Sequence, residues 1–299
     1  MSTNTNRVVS IVELAVYIPA LIPAVIACKR HEFGRSSGWH FTLTLCLVRI
    51  AGSTCQLILY SNNSVGLLKA TLILEYIGLA PLLLATLGML SRFVVWVNTS
   101  SAAPKISIRY FRLVQLAVVI GAVLGIIGAG KTQAQTNSPS IWSEVAVIFY
   151  VAAGAALVLI FLLTIPYFAS VPESERPLAP AIGVALPLDL VRLTYQVLVV
   201  FVHRGPFSRT APSVGVRVGM ALVEEFVVVA IFLLLGFRLD RLDKGQQGPI
   251  LSRLWKDPPG DRSRSNRKQC RRRHGGGVQY EPAFDLEDAH TLQDAGLRS

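Results

Sequence analysis

Residues 178–203 read Leu178-Ala-Pro-Ala-Ile-Gly-Val-Ala-Leu-Pro-Leu-Asp-Leu-Val-Arg-Leu-Thr-Tyr-Gln-Val-Leu-Val-Val-Phe-Val-His203. About 20 predominantly apolar residues at 1.5 Å rise cover the hydrocarbon of a bilayer, so this run is long enough to span one. Its backbone cannot meet lipid unless it is helical. Yet Asp189 and Arg192 stand near its middle. A charge at the bilayer centre costs at least about 2.5–3.5 kcal/mol on insertion scales. The run therefore predicts a membrane helix whose charges face protein, not lipid.

The same pattern repeats along the chain. Seven runs qualify: about 8–28, 39–60, 69–90, 110–130, 143–168, 178–203 and 214–237. Hydrophobic residues make up 52% of the chain and charged residues only 16%, where a soluble domain carries about 25% charged residues. Mean hydropathy is +0.49. The fold class expected is all-α, a polytopic seven-helix membrane bundle. The first run is too long for the apolar part of a secretory signal and carries Glu13, so it reads as an uncleaved first helix.

Residues 1–242 form the expected membrane domain, and 243–299 an expected disordered tail. The tail is rich in Arg, Gly, Pro, Asp and Ser and has too few apolar positions to order itself. Its basic stretch runs from Arg262 to Arg273 without an acid and is followed by an acidic stretch from Glu281 to Asp294, in a chain of net charge +11. Beside a membrane helix, attraction to anionic lipid of the cytosolic leaflet is a simpler reading than nucleic acid. With an odd number of spans the termini lie on opposite sides. Lys29, Arg30, Arg35, Arg92, Lys105, Arg109, Arg112, Arg176 and the tail outnumber Arg7, Lys69, Lys131, Arg204 and Arg209. Basic residues favour the cytosol, which predicts a lumenal or extracellular N-terminus and a cytosolic C-terminus.

The acids and bases inside the runs are the chemistry on offer. Arg49 is centred in the second run, and Glu224 and Glu225 lie in the seventh. Glu13 and Glu75 fall nearer the lumenal side. Asp189 and Arg192, three apart, share a helix face within mutual reach. Adjacent Glu224 and Glu225 point about 100° apart, so one is expected on Arg192 and the other on Arg49. Two arginines against five acids leave the layer at minus three if all ionise. Since arginine keeps its proton, either some carboxyls hold protons or a cation completes the site. The expected polar core is thus Arg49, Glu75, Asp189, Arg192, Glu224 and Glu225, with Glu13, Gln56 and Gln196 in support. The glutamines, with Gln115, are expected to hydrogen-bond between helices. Gly121, Gly125 and Gly128 form a small-residue stripe suited to close helix packing. Trp39, Trp96 and Trp142 stand at run ends, where interfacial anchors are expected. The four cysteines and five histidines have no ligand spacing. No P-loop, dinucleotide fingerprint, zinc motif or GxSxG occurs, so no metal or cofactor is expected.

Several stretches carry a family resemblance: Phe33-Gly-Arg-Ser-Ser-Gly-Trp39, Leu47-Val-Arg-Ile-Ala-Gly-Ser53, Ile77 to Arg92, Leu186-Pro-Leu-Asp-Leu-Val-Arg-Leu-Thr-Tyr195 and Met220-Ala-Leu-Val-Glu-Glu-Phe-Val-Val-Val229. Over about residues 8–240 the chain resembles a family of fungal seven-helix membrane proteins catalogued as a domain of unknown function. The resemblance implies a fungal source and a seven-helix bundle, and it supplies no activity, substrate or cofactor. Arg49, Arg92, Arg192, Glu224 and Glu225 fall within the matching motifs. Asp189 departs from them, since that family more often carries an apolar residue there. In topology alone the chain is also similar to fungal lipid-translocating exporter-like proteins.

Three functions fit these residues. One is transport, lipid translocation or small-molecule sensing, with an amphipathic or anionic molecule on the guanidinium groups and membrane lipid around it. A second is a membrane-embedded enzyme using a buried carboxyl as a terpene-cyclase-like acid, with Glu75, Glu224 or Glu225 in that role. The sequence lacks the aromatic lining a carbocation needs. A third is a structural membrane partner without a ligand site.

Overall fold

The computed structural model describes residues 2–31, 38–61, 64–99, 106–131, 140–202 and 214–239. Six spans are single helices: α1 (Ser2–Arg30), α2 (Trp39–Ser61), α3 (Val65–Thr99), α4 (Ile108–Lys131), α5 (Ile141–Thr164) and α6 (Leu178–Phe201). The seventh is built from α7 (Val214–Arg217), a π-helical turn (Val218–Leu222) and α8 (Val223–Arg238) in direct succession. The fifth span continues beyond α5 as a 3-10 helix, Ile165–Ser170, which Pro166 opens. No strand occurs among the described residues. All seven spans are long and apolar enough to cross a membrane, and the chain is an all-α multi-pass membrane protein. The expected tail, 243–299, lies outside the described residues.

One boundary that bears on the site differs from the one the sequence predicts. The third helix does not stop near residue 90 but runs to Thr99. It thereby turns Arg92 from an expected loop residue into a helical, buried one. Pro19, Pro23, Pro81 and Pro187 all lie inside helices without ending them. In lipid a broken helix would expose unpaired backbone, and that cost outweighs the single hydrogen bond each proline removes.

Packing follows chain order: α1 lies along α2, α2 along α3, α3 along α4 and α4 along α5. The sixth helix contacts α3, α5 and α8. The third is the central post, with 67% of its most apolar stretch buried against 28% for the first. Leu79, Leu82, Leu83, Met89 and Phe93 of α3 make much of the core. Large apolar side chains face outward on the peripheral helices, including Ile11 and Ile22 of α1, Leu113 of α4 and Leu162 of α5. This is how a bundle solvated by acyl chains distributes its apolar residues.

The glycine stripe of α4 packs within the chain. A Cβ on Gly121 would sit 3.2 Å from the Ala146 carbonyl, and one on Gly128 2.7 Å from the Ser143 amide nitrogen. Missing side chains there let α4 and α5 approach closely. Gly38, just before α2, has φ +113°, a left-handed conformation that only glycine adopts cheaply. A Cβ there would meet the Ala85 carbonyl at 3.0 Å. Cys28 and Cys46 are buried free thiols among these helices.

Candidate functional site: a buried arginine–glutamate core

Glu225 sits in the first turn of α8, immediately after the π turn, and is wholly buried. Its carboxylate is gripped by the Arg49 fork: Nε donates to Oε1 at 2.5 Å, and Nη2 donates to Oε2. The Tyr17 hydroxyl donates to Oε1 at 3.2 Å. Arg192 Nε lies 3.8 Å from Oε2, an ion pair too long for a hydrogen bond. Four helices thus converge on one carboxylate: α1 through Tyr17, α2 through Arg49, α6 through Arg192 and α8 through Glu225. Of the expected division of the two glutamates between the two arginines, the Arg49 half holds, in Glu225, but Arg192 ion-pairs with that same carboxylate and not with Glu224. One carboxylate faces both guanidinium groups, because the two glutamates project about 100° apart and only Glu225 is turned to both Arg49 and Arg192. Formally this cluster carries one positive charge.

Glu224 lies within electrostatic reach of Arg192 but does not pair with it. It is buried, makes no ion pair among the described residues, and its Oε2 has no hydrogen-bond partner. Asp189 and Arg192 share α6 but do not pair. The short Asp189 side chain accepts from Thr86 Oγ1 of α3 at 2.6 Å, and its Oδ1 has no donor. The longer Arg192 side chain reaches towards α8 instead. Arg192 donates weakly to Gln196 Oε1 at 3.5 Å, a contact within α6 and not the expected contact between helices. Its guanidinium carbon lies 5.5 Å from the Tyr195 ring centroid. Among the described residues Nε and Nη2 of Arg192 have no hydrogen-bond acceptor, although the side chain is wholly buried.

A second polar group lies beside Arg49. Glu13 accepts from Ser53 Oγ. Arg217 donates from Nη2 to Gln56 Oε1 at 3.1 Å, and its Nε stands 3.9 Å from Glu75 Oε1. Gln56 in turn donates to the Tyr60 hydroxyl at 3.4 Å. Arg49, Glu13, Ser53, Gln56, Glu75 and Arg217 line a cavity with room for about one water molecule. This vestibule is the partly open part of the site, with Glu75 at 28% side-chain exposure and Arg217 at 15%.

Sequence reasoning missed Arg217. It raises the count to three arginines against the same five acids, so the formal balance is minus two, not minus three. The π turn explains the omission. A π turn spends one extra residue. Arg217 and Glu225, eight apart, therefore align as residues seven apart would, on one face two turns from each other. A uniform α-helix would have rotated them about 80° apart. The only sequence signal is a lone arginine in the first turn of an otherwise apolar run.

The opposite end of the bundle is tied by a separate network. Arg92 of α3 grips Glu175, which precedes α6, with Nε 2.9 Å from Oε2 and Nη2 on Oε1. The Arg92 guanidinium carbon lies 5.5 Å from the Trp39 ring centroid, and Trp39 stacks on His31 at 4.0 Å. The Trp39 indole donates to the Phe232 carbonyl at 3.2 Å, while His31 Nε2 lies 3.0 Å from the Gly236 carbonyl. Trp39 is thus not an interfacial anchor, being 1% exposed and wedged against Gly236. Trp142 is the contrasting case, 40% exposed and 5.0 Å from the Lys131 ammonium.

A bundle of seven spans with ionic side chains gathered at its centre defines a multi-pass membrane protein with a polar core. Residues 3–242 match the model of a family described as a domain of unknown function (DUF7702), and the chain belongs to that family. Neither the curated proteins nor the solved structures hold a match to it.

Proposed function

We propose that this protein carries or senses a small anionic or amphipathic molecule, held at the Arg49–Glu225–Arg192 layer. One observation carries the reading: Arg192 is wholly buried at membrane depth with two guanidinium nitrogens that lack an acceptor. An unmet buried donor costs about 1–3 kcal/mol, and more when charged. A structural lock would use those donors. A binding site leaves them for its ligand, and charged groups at this depth mark ligand pathways by default. Ionic ties at both ends, Arg92 with Glu175 and Arg217 with Glu75, suit a bundle that opens to one side at a time around a central site.

Arg192→Lys tests this directly, because lysine keeps the charge but loses the planar fork. Hexanesulfonate serves as the probe, with the full-length protein in lipid nanodiscs at mildly acidic pH. The sulfonate is expected to raise the thermal unfolding midpoint of the wild type and not that of Arg192→Lys. Equal stabilisation of both would remove Arg192 from the site.

The end bearing Arg30, Arg92, Arg109, Arg176 and Arg238 is read as cytosolic, because it holds the larger share of basic residues. That orientation puts the vestibule and the N-terminus on the lumenal or extracellular side, and the basic tail against anionic lipid.

A further inference from the structure

Glu225 occupies the place a ligand would take. Its carboxylate fills the Arg49 fork and approaches Arg192, so any second anion competes with it for the same guanidinium groups. The carboxylates nearest the vestibule are engaged elsewhere. Glu13 is held by Ser53, and Glu75 lies beside Arg217. We infer that Glu225 is a built-in stand-in for a carboxylate-like ligand, displaced by taking up one proton, so that anion and proton bind together. The inference rests on the reading that this layer is the ligand site, and it adds the ligand's chemistry and its coupling.

The charge balance is closed. With Glu225 ionised, two guanidinium groups and one carboxylate sum to plus one. With a proton on Glu225 and a monovalent anion on the arginines, the sum is again plus one. What enters is a neutral unit, anion plus proton. Moving an uncompensated charge to this depth would be expensive. The Arg49 fork is already shaped for two parallel hydrogen bonds to a carboxylate, and Arg192 supplies the two nitrogens still lacking acceptors.

The surroundings of Glu225 supply protonatable groups. Tyr17 of α1 donates directly to it. The other titratable neighbours are Cys46 on α2, Asp189 on α6 and Glu224 on α8 itself. Glu13 and Glu75 stand behind the two arginines. The vestibule beyond Arg49 has room for about one water between Glu13, Glu75 and Arg217. A metal cation there would face two guanidinium groups. Among the described residues no three His, Cys, Asp or Glu side chains are grouped to hold one.

The test again uses hexanesulfonate, because it stays ionised at every working pH and any pH dependence belongs to the protein. Full-length protein in nanodiscs is titrated from mildly acidic to mildly alkaline pH. Affinity is expected to fall about tenfold per pH unit on going alkaline, the slope for one proton taken up per anion. In weakly buffered solution a pH dye should report that uptake directly. In Glu225→Gln the binding should lose its pH dependence and the uptake should vanish, while Glu224→Gln keeps both. Should Glu225→Gln not fold, the wild-type proton count and the Glu224→Gln control still decide. Binding without proton uptake overturns the coupling but leaves Arg192 as a ligand site. Uptake lost in Glu224→Gln overturns the assignment to Glu225. No binding by wild type at any pH overturns the ligand site and the coupling together.

Discussion

Replacing Glu225 by alanine strips the counter-charge from two buried arginines at once, whereas the same change at Glu224 touches no ion pair. Breaking a buried pair by removing one partner costs about 3–5 kcal/mol, because a charge is left uncompensated. Tyr17 also loses its acceptor, a hydrogen bond to a charged group worth about 1.5–3 kcal/mol. These terms share one carboxylate and do not add fully. A loss of at least about 3 kcal/mol is therefore expected for Glu225→Ala. Glu224→Ala removes a buried carboxyl whose Oε2 has no donor, so relief of desolvation offsets the lost packing, and the change should stay within about 1 kcal/mol. The assay is equilibrium unfolding in mixed micelles with increasing sodium dodecyl sulfate, followed by tryptophan emission. Pairing Glu225→Leu with Arg49→Met should recover part of the loss, since a buried ion pair exchanged for apolar side chains is often close to neutral. Equal losses for the two alanine variants would refute the reasoning, because the neighbours would then be equivalent, as their adjacency in the sequence suggests.

Two further outcomes test the frame around the site. Gly128→Ala should lower stability by about 1–3 kcal/mol, because its Cβ would press on the Ser143 backbone, whereas Gly130→Ala, with nothing within 4 Å, should leave the thermal midpoint unchanged or higher. Arg92→Gln should cost about 3–5 kcal/mol by leaving Glu175 buried without its partner. It should also change the near-ultraviolet circular dichroism of Trp39, which loses the cation over its ring, while a change confined to stability would argue against that contact.

Much of this protein is legible before any fold is known. Seven spans follow from run length and hydropathy alone, because lipid allows an isolated segment only one backbone solution. That Arg49, Arg192 and the acids must turn inward follows from the cost of charge in hydrocarbon. Local spacing then stops being informative. Asp189 and Arg192 have ideal spacing for a pair, yet Thr86 and Glu225, more than a hundred and more than thirty residues away, take them instead. Trp39 has the sequence position of an interfacial anchor, but its burial depends on His31 just after the first span, Arg92 of the third and Gly236 of the seventh.

Residue chemistry alone determined that charges meet inside a helical membrane bundle, since each helix satisfies its own backbone hydrogen bonds but must hide its charges against its neighbours. Which charges meet was decided only by the tertiary structure. A single π turn rotates Arg217 onto the face of Glu225, and the choice of Glu225 over its neighbour depends on the angle at which α8 meets α2 and α6. A rotation of one residue is invisible to composition and periodicity, yet it selects the carboxylate that two arginines share.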